Sequence, residues 1–195
     1  RMIDFGKGDG LVPVIIQDAQ TLEVLMLGYM NEAAWQKTQS EGKVTFYSRS
    51  KNRLWTKGEE SGNFLHVESC HIDCDQDTIL ILARPEGPTC HTGSRSCFST
   101  GYRHNFLFQL ERIVAHRYNF PTDESYVNRL HHRGLNKIAQ KVGEEAVETV
   151  IAALAQSEQE FIDETSDLFF HILVLLREKG ISLETIAKNL EGRHQ

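Results

Sequence analysis

Cys70-His71-Ile72-Asp73-Cys74-Asp75-Gln76-Asp77-Thr78-Ile79-Leu80-Ile81-Leu82 is the stretch on which the first half of the chain turns. Residues 64–67 before it and 78–82 within it are rich in aliphatic and β-branched types and read as strand. In an extended chain side chains alternate, which predicts Asp73, Asp75 and Asp77 on one face and Cys74 on the other. Carboxylate oxygens suit a hard ion such as Mg²⁺ and a thiolate suits Zn²⁺, so one strand would feed two metal sites of different softness. Same-face neighbours lie about 6.5–7 Å apart along a strand, and the three carboxylates can share one ion only if the chain bends near Asp75. An EF-hand does not fit: its sixth position needs Gly and is Thr78, and its twelfth needs Glu and is Arg84. A solvated acidic strand is the plain alternative, weakened by the mutual repulsion of three carboxylates.

Downstream, Cys90-His91-Thr92-Gly93-Ser94-Arg95-Ser96-Cys97 adds two cysteines in a polar loop. Cys74, Cys90 and Cys97 lack the spacing of a zinc ribbon. Three thiolates would leave one of zinc's four positions open, the catalytic rather than the structural pattern. Cys70 reads as a buried free thiol. Together with Trp55-Thr56-Lys57-Gly58-Glu59-Glu60-Ser61-Gly62-Asn63, these runs make residues 10–98 resemble phosphoribosyl-AMP cyclohydrolase of histidine biosynthesis. The resemblance implies Zn²⁺ on Cys74, Cys90 and Cys97, Mg²⁺ on Asp73, Asp75 and Asp77, and a homodimer whose zinc thiolates come from both subunits. It implies hydrolytic opening of the adenine ring at N1–C6 by a zinc-activated water, with His91, beside a ligand, as the proton-transfer group. Gln76 stands where many relatives have Gly. Ser48, Arg49, Ser50, Lys57 and Ser61, with the Gly58 and Gly62 backbone, offer the donors a phosphate needs, and the resemblance assigns them to the phosphoribosyl groups.

Around this stretch, residues 11–16 and 23–27 read as strands joined by an Asp18-Ala19-Gln20-Thr21 turn, and residues 44–48 as another. Asn31 is placed to cap a short helix that stops at Gly42. Residues 99–105 are short, polar and Gly-containing, and the hydrophobic period changes from strand-like before them to helical after them.

The second half reads as all-α. Leu107, Leu110, Ile113 and Val114 form one apolar stripe, and Leu135, Ile138, Ala139, Val142, Ala146 and Val150 form another beyond Gly134. Opposite the second lies a stripe about 100° wide carrying Lys137, Lys141, Glu144, Glu145 and Glu148. A solvated charged face is its ordinary explanation. However, Glu144 and Glu148 repel at i,i+4, and Glu164, Asp167 and His171 form a matching set on the next helix, opposite Ile162, Phe169 and Leu176. Carboxylates on facing helices build metal sites in bundles.

Glu145-x-x-Glu148 followed by Glu164-x-x-Asp167 resembles the all-α nucleotide pyrophosphohydrolases. The string Lys137-Ile138-Ala139-Gln140-Lys141-Val142-Gly143-Glu144-Glu145-Ala146-Val147-Glu148 narrows the resemblance to phosphoribosyl-ATP pyrophosphohydrolase. It implies Mg²⁺ held by Glu144, Glu145, Glu148, Glu164 and Asp167, with Glu145 and Glu148 catalytic and Lys137 and Lys141 on substrate phosphates.

The expected architecture is therefore two domains. Residues 1–101 form an α+β unit, mostly β with short helices and dimer-forming, and residues 102–195 form an all-α helical bundle of the nucleotide pyrophosphohydrolase type. The net charge of −6, with no basic cluster, argues against a nucleic-acid partner. The longest apolar run, residues 168–176, is too short to cross a bilayer. Four unevenly spaced cysteines make no disulfide framework and nothing reads as a secretory leader, so a cytoplasmic location is expected. Two rival readings are a nucleotide pyrophosphatase fused to a zinc deaminase-like domain, opposed by the missing H-x-E…P-C-x-x-C signature, and a non-enzymatic zinc-stabilised dimerisation module.

Overall fold

The computed structural model describes residues 2–98 and 105–194. They fall into two compact units divided between Asn105 and Phe106. Most of the boundary segment expected at residues 99–105 lies outside the described residues.

In the N-terminal unit β1 (Val12–Asp18), β2 (Val24–Met30), β5 (Leu65–Ile72) and β6 (Ile79–Pro85) form one sheet in the order β2-β1-β6-β5. β1 pairs antiparallel with β2 and parallel with β6, and β5 pairs antiparallel with β6. Alternation sets the buried face: Val12, Val14 and Ile16 of β1 and Ile79, Ile81 and Ala83 of β6 point into the core with Leu25, Met30 and Leu65. β3 (Thr45–Ser48) and β4 (Arg53–Thr56) form a separate hairpin. Arg53-Leu54-Trp55-Thr56 is a strand that its sequence, flanked by polar and basic residues, does not announce. Helix α1 (Glu32–Glu41) is capped as expected, Asn31 accepting from the Ala34 N–H and Gly42 closing the other end.

The aspartates depart from the extended reading. β5 stops at Ile72 and β6 starts at Ile79, so residues 73–78 are the loop of a hairpin, not a strand. Gln76 takes a left-handed φ of 68° inside that loop. The bend near Asp75 is thus the whole connection, and alternation does not sort Cys74 from the carboxylates.

Among the described residues the C-terminal unit has four helices: α2 (Phe106–Asn119), α3 (Tyr126–Ala155), α4 (Glu158–Glu178) and α5 (Leu183–Gly192). Ser125 caps α3, and a reciprocal Ser157–Glu160 capping box opens α4. Gly134, at φ 80° and ψ 177°, breaks the helical path within α3, a conformation that suits glycine alone. Val114, Val127, Leu130, Ile138 and Val174 form the core.

The buried side of the α3–α4 pair is unexpected. Glu145 and His171 are buried with Ile138, Ala152 and Val174, while Val147, Val150, Ile151, Leu154, Ile162 and Phe169 are exposed. The helices pack through the carboxylate side and leave much of the apolar side open.

Candidate functional site

In the N-terminal unit the hairpin loop gathers charge. Asp73 Oδ1 accepts the N–H groups of Asp77 (3.0 Å) and Thr78 (3.1 Å), which folds the loop back on itself. One carboxylate oxygen each from Asp73, Asp75 and Asp77 then lies within 4.8 Å of the others. Desolvation of Asp73 works against its charge, but the hydrogen bonds it accepts, led by the Thr78 and Asp77 N–H groups, together outweigh it and hold its pKa below the ordinary value. The Lys7 ammonium stands 3.4 Å from Asp75 and 3.6 Å from Asp77, so a cation already faces this cluster.

The cysteine loop is pinned to the sheet. Arg95 donates to the buried Glu23 at 2.5 Å, the Ser96 hydroxyl donates to the Val24 carbonyl at 2.7 Å, and the Cys97 N–H donates to the Leu25 carbonyl at 2.8 Å. Thr92 donates from its hydroxyl to the Cys90 sulfur at 3.1 Å, and this bond lowers the Cys90 pKa. Burial raises that of Cys97, and the neighbouring Cys90 adds to the rise. Cys74 is exposed in the aspartate loop, and no metal-sized group of three among the described residues includes a cysteine. One chain brings Cys90 and Cys97 near each other and leaves Cys74 apart.

A cleft of about 270 Å³ adjoins the loop, lined by Trp55, Lys57, Gly58, Ser61, Cys90 and His91 among others. Gly58 is fixed by backbone geometry: at φ 93°, a Cβ there would lie 2.6 Å from the Asn63 carbonyl. Thr89, in the same wall, has a buried hydroxyl without a hydrogen-bond partner among the described residues. Ser48, Arg49 and Ser50 sit in the β3–β4 turn and do not line this cleft. There Ser48 and Ser50 hydroxyls are 3.3 Å apart, and the Arg49 guanidinium lies 4.6 Å from the Tyr29 ring centre. Gly62 belongs to the turn after Gly58, whose carbonyl accepts its N–H.

In the C-terminal unit Glu145, Glu148 and Glu164 each place a carboxylate oxygen within 4.8 Å of the others. Repulsion from Glu145, helped by partial desolvation, raises the Glu148 pKa. Lys141 counters the charge, 2.9 Å from Glu145 and 3.0 Å from Glu144. Glu144 accepts from Lys141 and Gln140, and neither it nor the exposed Asp167 is in the three-carboxylate group. Behind the group, buried His171 donates from Nδ1 to the Asp167 carbonyl at 2.7 Å, which leaves Nε2 to accept from the Tyr126 hydroxyl at 3.0 Å. Tyr126 and Lys137 line a second cleft of about 330 Å³, with Arg129, Arg133, Lys141 and Glu144.

Sequence reasoning missed Lys7, the Glu23–Arg95 pair, Tyr126 and the two arginines. Only the arginines left a signal, the four-residue interval running Arg129, Arg133, Lys137, Lys141.

Each unit thus carries both a carboxylate group of metal-binding size and a cleft lined in part by cations, the two features that metal-dependent hydrolases of phosphorylated substrates combine. The family model of phosphoribosyl-AMP cyclohydrolase matches residues 26–99, and that of phosphoribosyl-ATP pyrophosphohydrolase matches residues 107–194. The chain is 54% identical to the histidine biosynthesis bifunctional protein HisIE of Escherichia coli (strain K12), over all of this chain and 97% of the relative. It is 52% identical to the HisIE protein of Xylella fastidiosa (strain Temecula1), over 99% of this chain and 93% of the relative. The chain belongs to the HisIE family of bifunctional histidine-biosynthesis hydrolases, with the cyclohydrolase domain first and the pyrophosphohydrolase domain second.

Proposed function

We propose that the C-terminal unit acts first, hydrolysing phosphoribosyl-ATP at the α-phosphorus to phosphoribosyl-AMP and pyrophosphate. The observation that carries this is the meeting of Glu145, Glu148 and Glu164 within 4.8 Å, with Lys141 alongside. Three like charges so close suit a divalent cation, and Glu148's raised pKa reflects the strain that such an ion relieves. Mg²⁺ on these carboxylates, with Glu144 and Asp167 reaching it through small side-chain movements or water, would supply Lewis acidity and hold the triphosphate. Lys141 and Lys137 bind phosphate oxygens. The His171–Tyr126 pair keeps the packed side of Glu145 in one arrangement.

Phosphoribosyl-AMP then passes to the N-terminal unit, which opens its adenine ring at N1–C6. Zn²⁺ on Cys74, Cys90 and Cys97 would acidify a water toward neutrality, and Mg²⁺ on Asp73, Asp75 and Asp77 would orient the substrate. Within one chain Cys74 stands apart, so the zinc set is completed by a second copy, as a homodimer. The open apolar side of α3 and α4 supports assembly of like chains. His91, 3.8 Å from Cys90 through Nδ1, moves the proton. Lys57, Gly58 and Ser61 hold the phosphoribosyl groups, and the unpartnered Thr89 hydroxyl gains a partner when the cleft fills. Ser48, Arg49, Ser50 and Gly62 contribute from the neighbouring turns. No helix among the described residues is long and apolar enough to cross a membrane, in keeping with work in the cytoplasm.

The test is Glu148→Gln. Pyrophosphate release should fall by about 10²-fold or more, a typical effect of removing a charge-stabilising group, while purified phosphoribosyl-AMP is still opened. Retained release, or loss of both activities in a folded protein, contradicts the assignment.

A further inference from the structure

The second cleft of the C-terminal unit is cationic well beyond what the carboxylate group needs. Arg129, Arg133, Lys137 and Lys141 follow one another at intervals of four and all line it. Lys141 is neutralised by Glu144 and Glu145. Arg133 and Lys137 make no ion pair among the described residues. Among the described residues the Arg129 guanidinium has a single acceptor, the Glu124 carbonyl at 3.0 Å, and lies 5.5 Å from the Tyr126 ring centre. Arg129 and Arg133 carry no carboxylate counter-charge among the described residues, and Lys137 feels only the attraction of Glu144 in the same cleft, so the row stays net cationic and an anion entering the cleft relieves its repulsion. Gly134 breaks the helix between Arg133 and Lys137, so the row does not run on as one straight helical face.

The cleft also has a direction. Lys137 precedes Glu145 by eight residues, about 12 Å of helix, and the two arginines come earlier in the chain, on the other side of the Gly134 break. A phosphate gripped at the arginine end is therefore remote from one gripped at the metal end. Phosphoribosyl-ATP carries phosphate at two remote ends, a triphosphate on one ribose and a monophosphate on the ribose joined to the adenine ring. An ordinary nucleoside triphosphate carries only the first.

We infer that Arg129 and Arg133, with Lys137, form a phosphomonoester subsite that takes the 5-phosphate of the second ribose and makes the pyrophosphohydrolase selective for phosphoribosyl-ATP over ATP. The inference rests on the proposed pyrophosphohydrolase reaction and adds the recognition of the far end of its substrate. Paired arginines suit a monoester dianion through forked donation. The Tyr126 ring, stacked beneath Arg129, holds one of them in place.

The test uses the full chain with Mg²⁺ and the double variant Arg129→Ala/Arg133→Ala. Both side chains are exposed, and circular dichroism checks that helix content is kept. KM for phosphoribosyl-ATP should rise about tenfold or more, with kcat within about threefold of the parent. Inhibition by added pyrophosphate, which reports on the metal end alone, should be unchanged. Arg133→Lys alone should lose less than Arg133→Ala, since the charge remains and only the fork is lost. An unchanged KM overturns the inference, and so does a loss confined to kcat. Pyrophosphate inhibition weakened by the same factor as KM also overturns it, because the arginines would then serve the triphosphate. If the unmutated chain releases no pyrophosphate, the underlying reaction fails instead, so the two failures are distinguishable.

Discussion

Gln76 shows how one residue records a constraint that its neighbours do not. It sits at φ 68° in the aspartate loop, where a side chain meets the following carbonyl. Its carbonyl accepts from the Asp4 N–H at 2.7 Å, so the peptide is held in that orientation. Gln76→Gly should remove the steric cost but enlarge the freedom of the unfolded chain. The expected outcome is a change between zero and about 1 kcal/mol of stabilisation, read by thermal melting, with ring-opening activity retained. A loss of activity would mean the glutamine side chain itself serves the site. Lys7 is a second case. Its ammonium faces Asp75 and Asp77, where Mg²⁺ is proposed to bind, so Lys7→Ala should tighten Mg²⁺ at that loop in an equilibrium titration. Unchanged affinity would show that the lysine yields its place without cost. Lys7 does not stand out in the sequence, and Gln76 does so only against the Gly of the family it resembles. Gln76 is an ordinary polar residue in an acidic run, and Lys7 meets the loop only through tertiary folding.

The elements were legible to the degree that they carry their own pattern. The strand reading of residues 11–16, the Asn31 cap and the helical period after residue 105 all describe local structure, and the structure follows them. β4 escaped because its pairing with β3, not its own composition, makes it a strand. The aspartate run reads as extended because its flanks are strands. Two N–H bonds to Asp73 and the left-handed Gln76 turn it into a hairpin loop, and those forces are invisible to periodicity. In the candidate sites, residue types at short spacing were readable, as with Glu145 and Glu148. Partners distant in sequence, such as Glu23 with Arg95, were not.

One tie between elements makes a pH-dependent prediction. Glu178, in the last turn of α4, accepts from the Tyr118 hydroxyl of α2 at 2.6 Å and pairs with His131 Nδ1 of α3 at 2.9 Å. Burial raises its pKa, but these two partners together outweigh burial and leave it below the ordinary value. A carboxyl depressed on folding adds stability above its unfolded pKa, and that stability is lost as pH falls through the folded value. Glu178→Gln should therefore destabilise the chain by about 1–3 kcal/mol near neutrality, and the gap from the parent should close as pH drops below about 4. Chemical denaturation at several pH values checks this. A gap that stays constant with pH would mean that shape, not charge, carries the contact.

At the scale of the whole molecule, two ligand chemistries predict two rates of metal loss. Carboxylates hold Mg²⁺ weakly because the ion keeps several waters, whereas thiolates hold Zn²⁺ far more tightly. Mild EDTA should stop pyrophosphate release quickly, and Mg²⁺ alone should restore it. Bound zinc should remain until a stronger chelator or acid removes it. Zinc that leaves as fast as the Mg²⁺-dependent activity would exclude Cys74, Cys90 and Cys97 as its ligands.

The uncovered apolar side of α3 and α4 makes stability a function of concentration. Val150 and Ile151 are 57% and 49% exposed in the single chain, and Leu154 is 82% exposed. On the homodimer reading, dilution removes their cover, and the melting temperature should climb with protein concentration by mass action. Val150→Lys places a charge on this face and changes none of the carboxylates of the metal-sized group. In a cell its harm would therefore appear as a shorter lifetime, because the unpaired chain is the form that proteases and chaperones meet. Expression level would then be one trait on which selection sees this face, and ring opening, which needs the second copy's thiolate, would be the other.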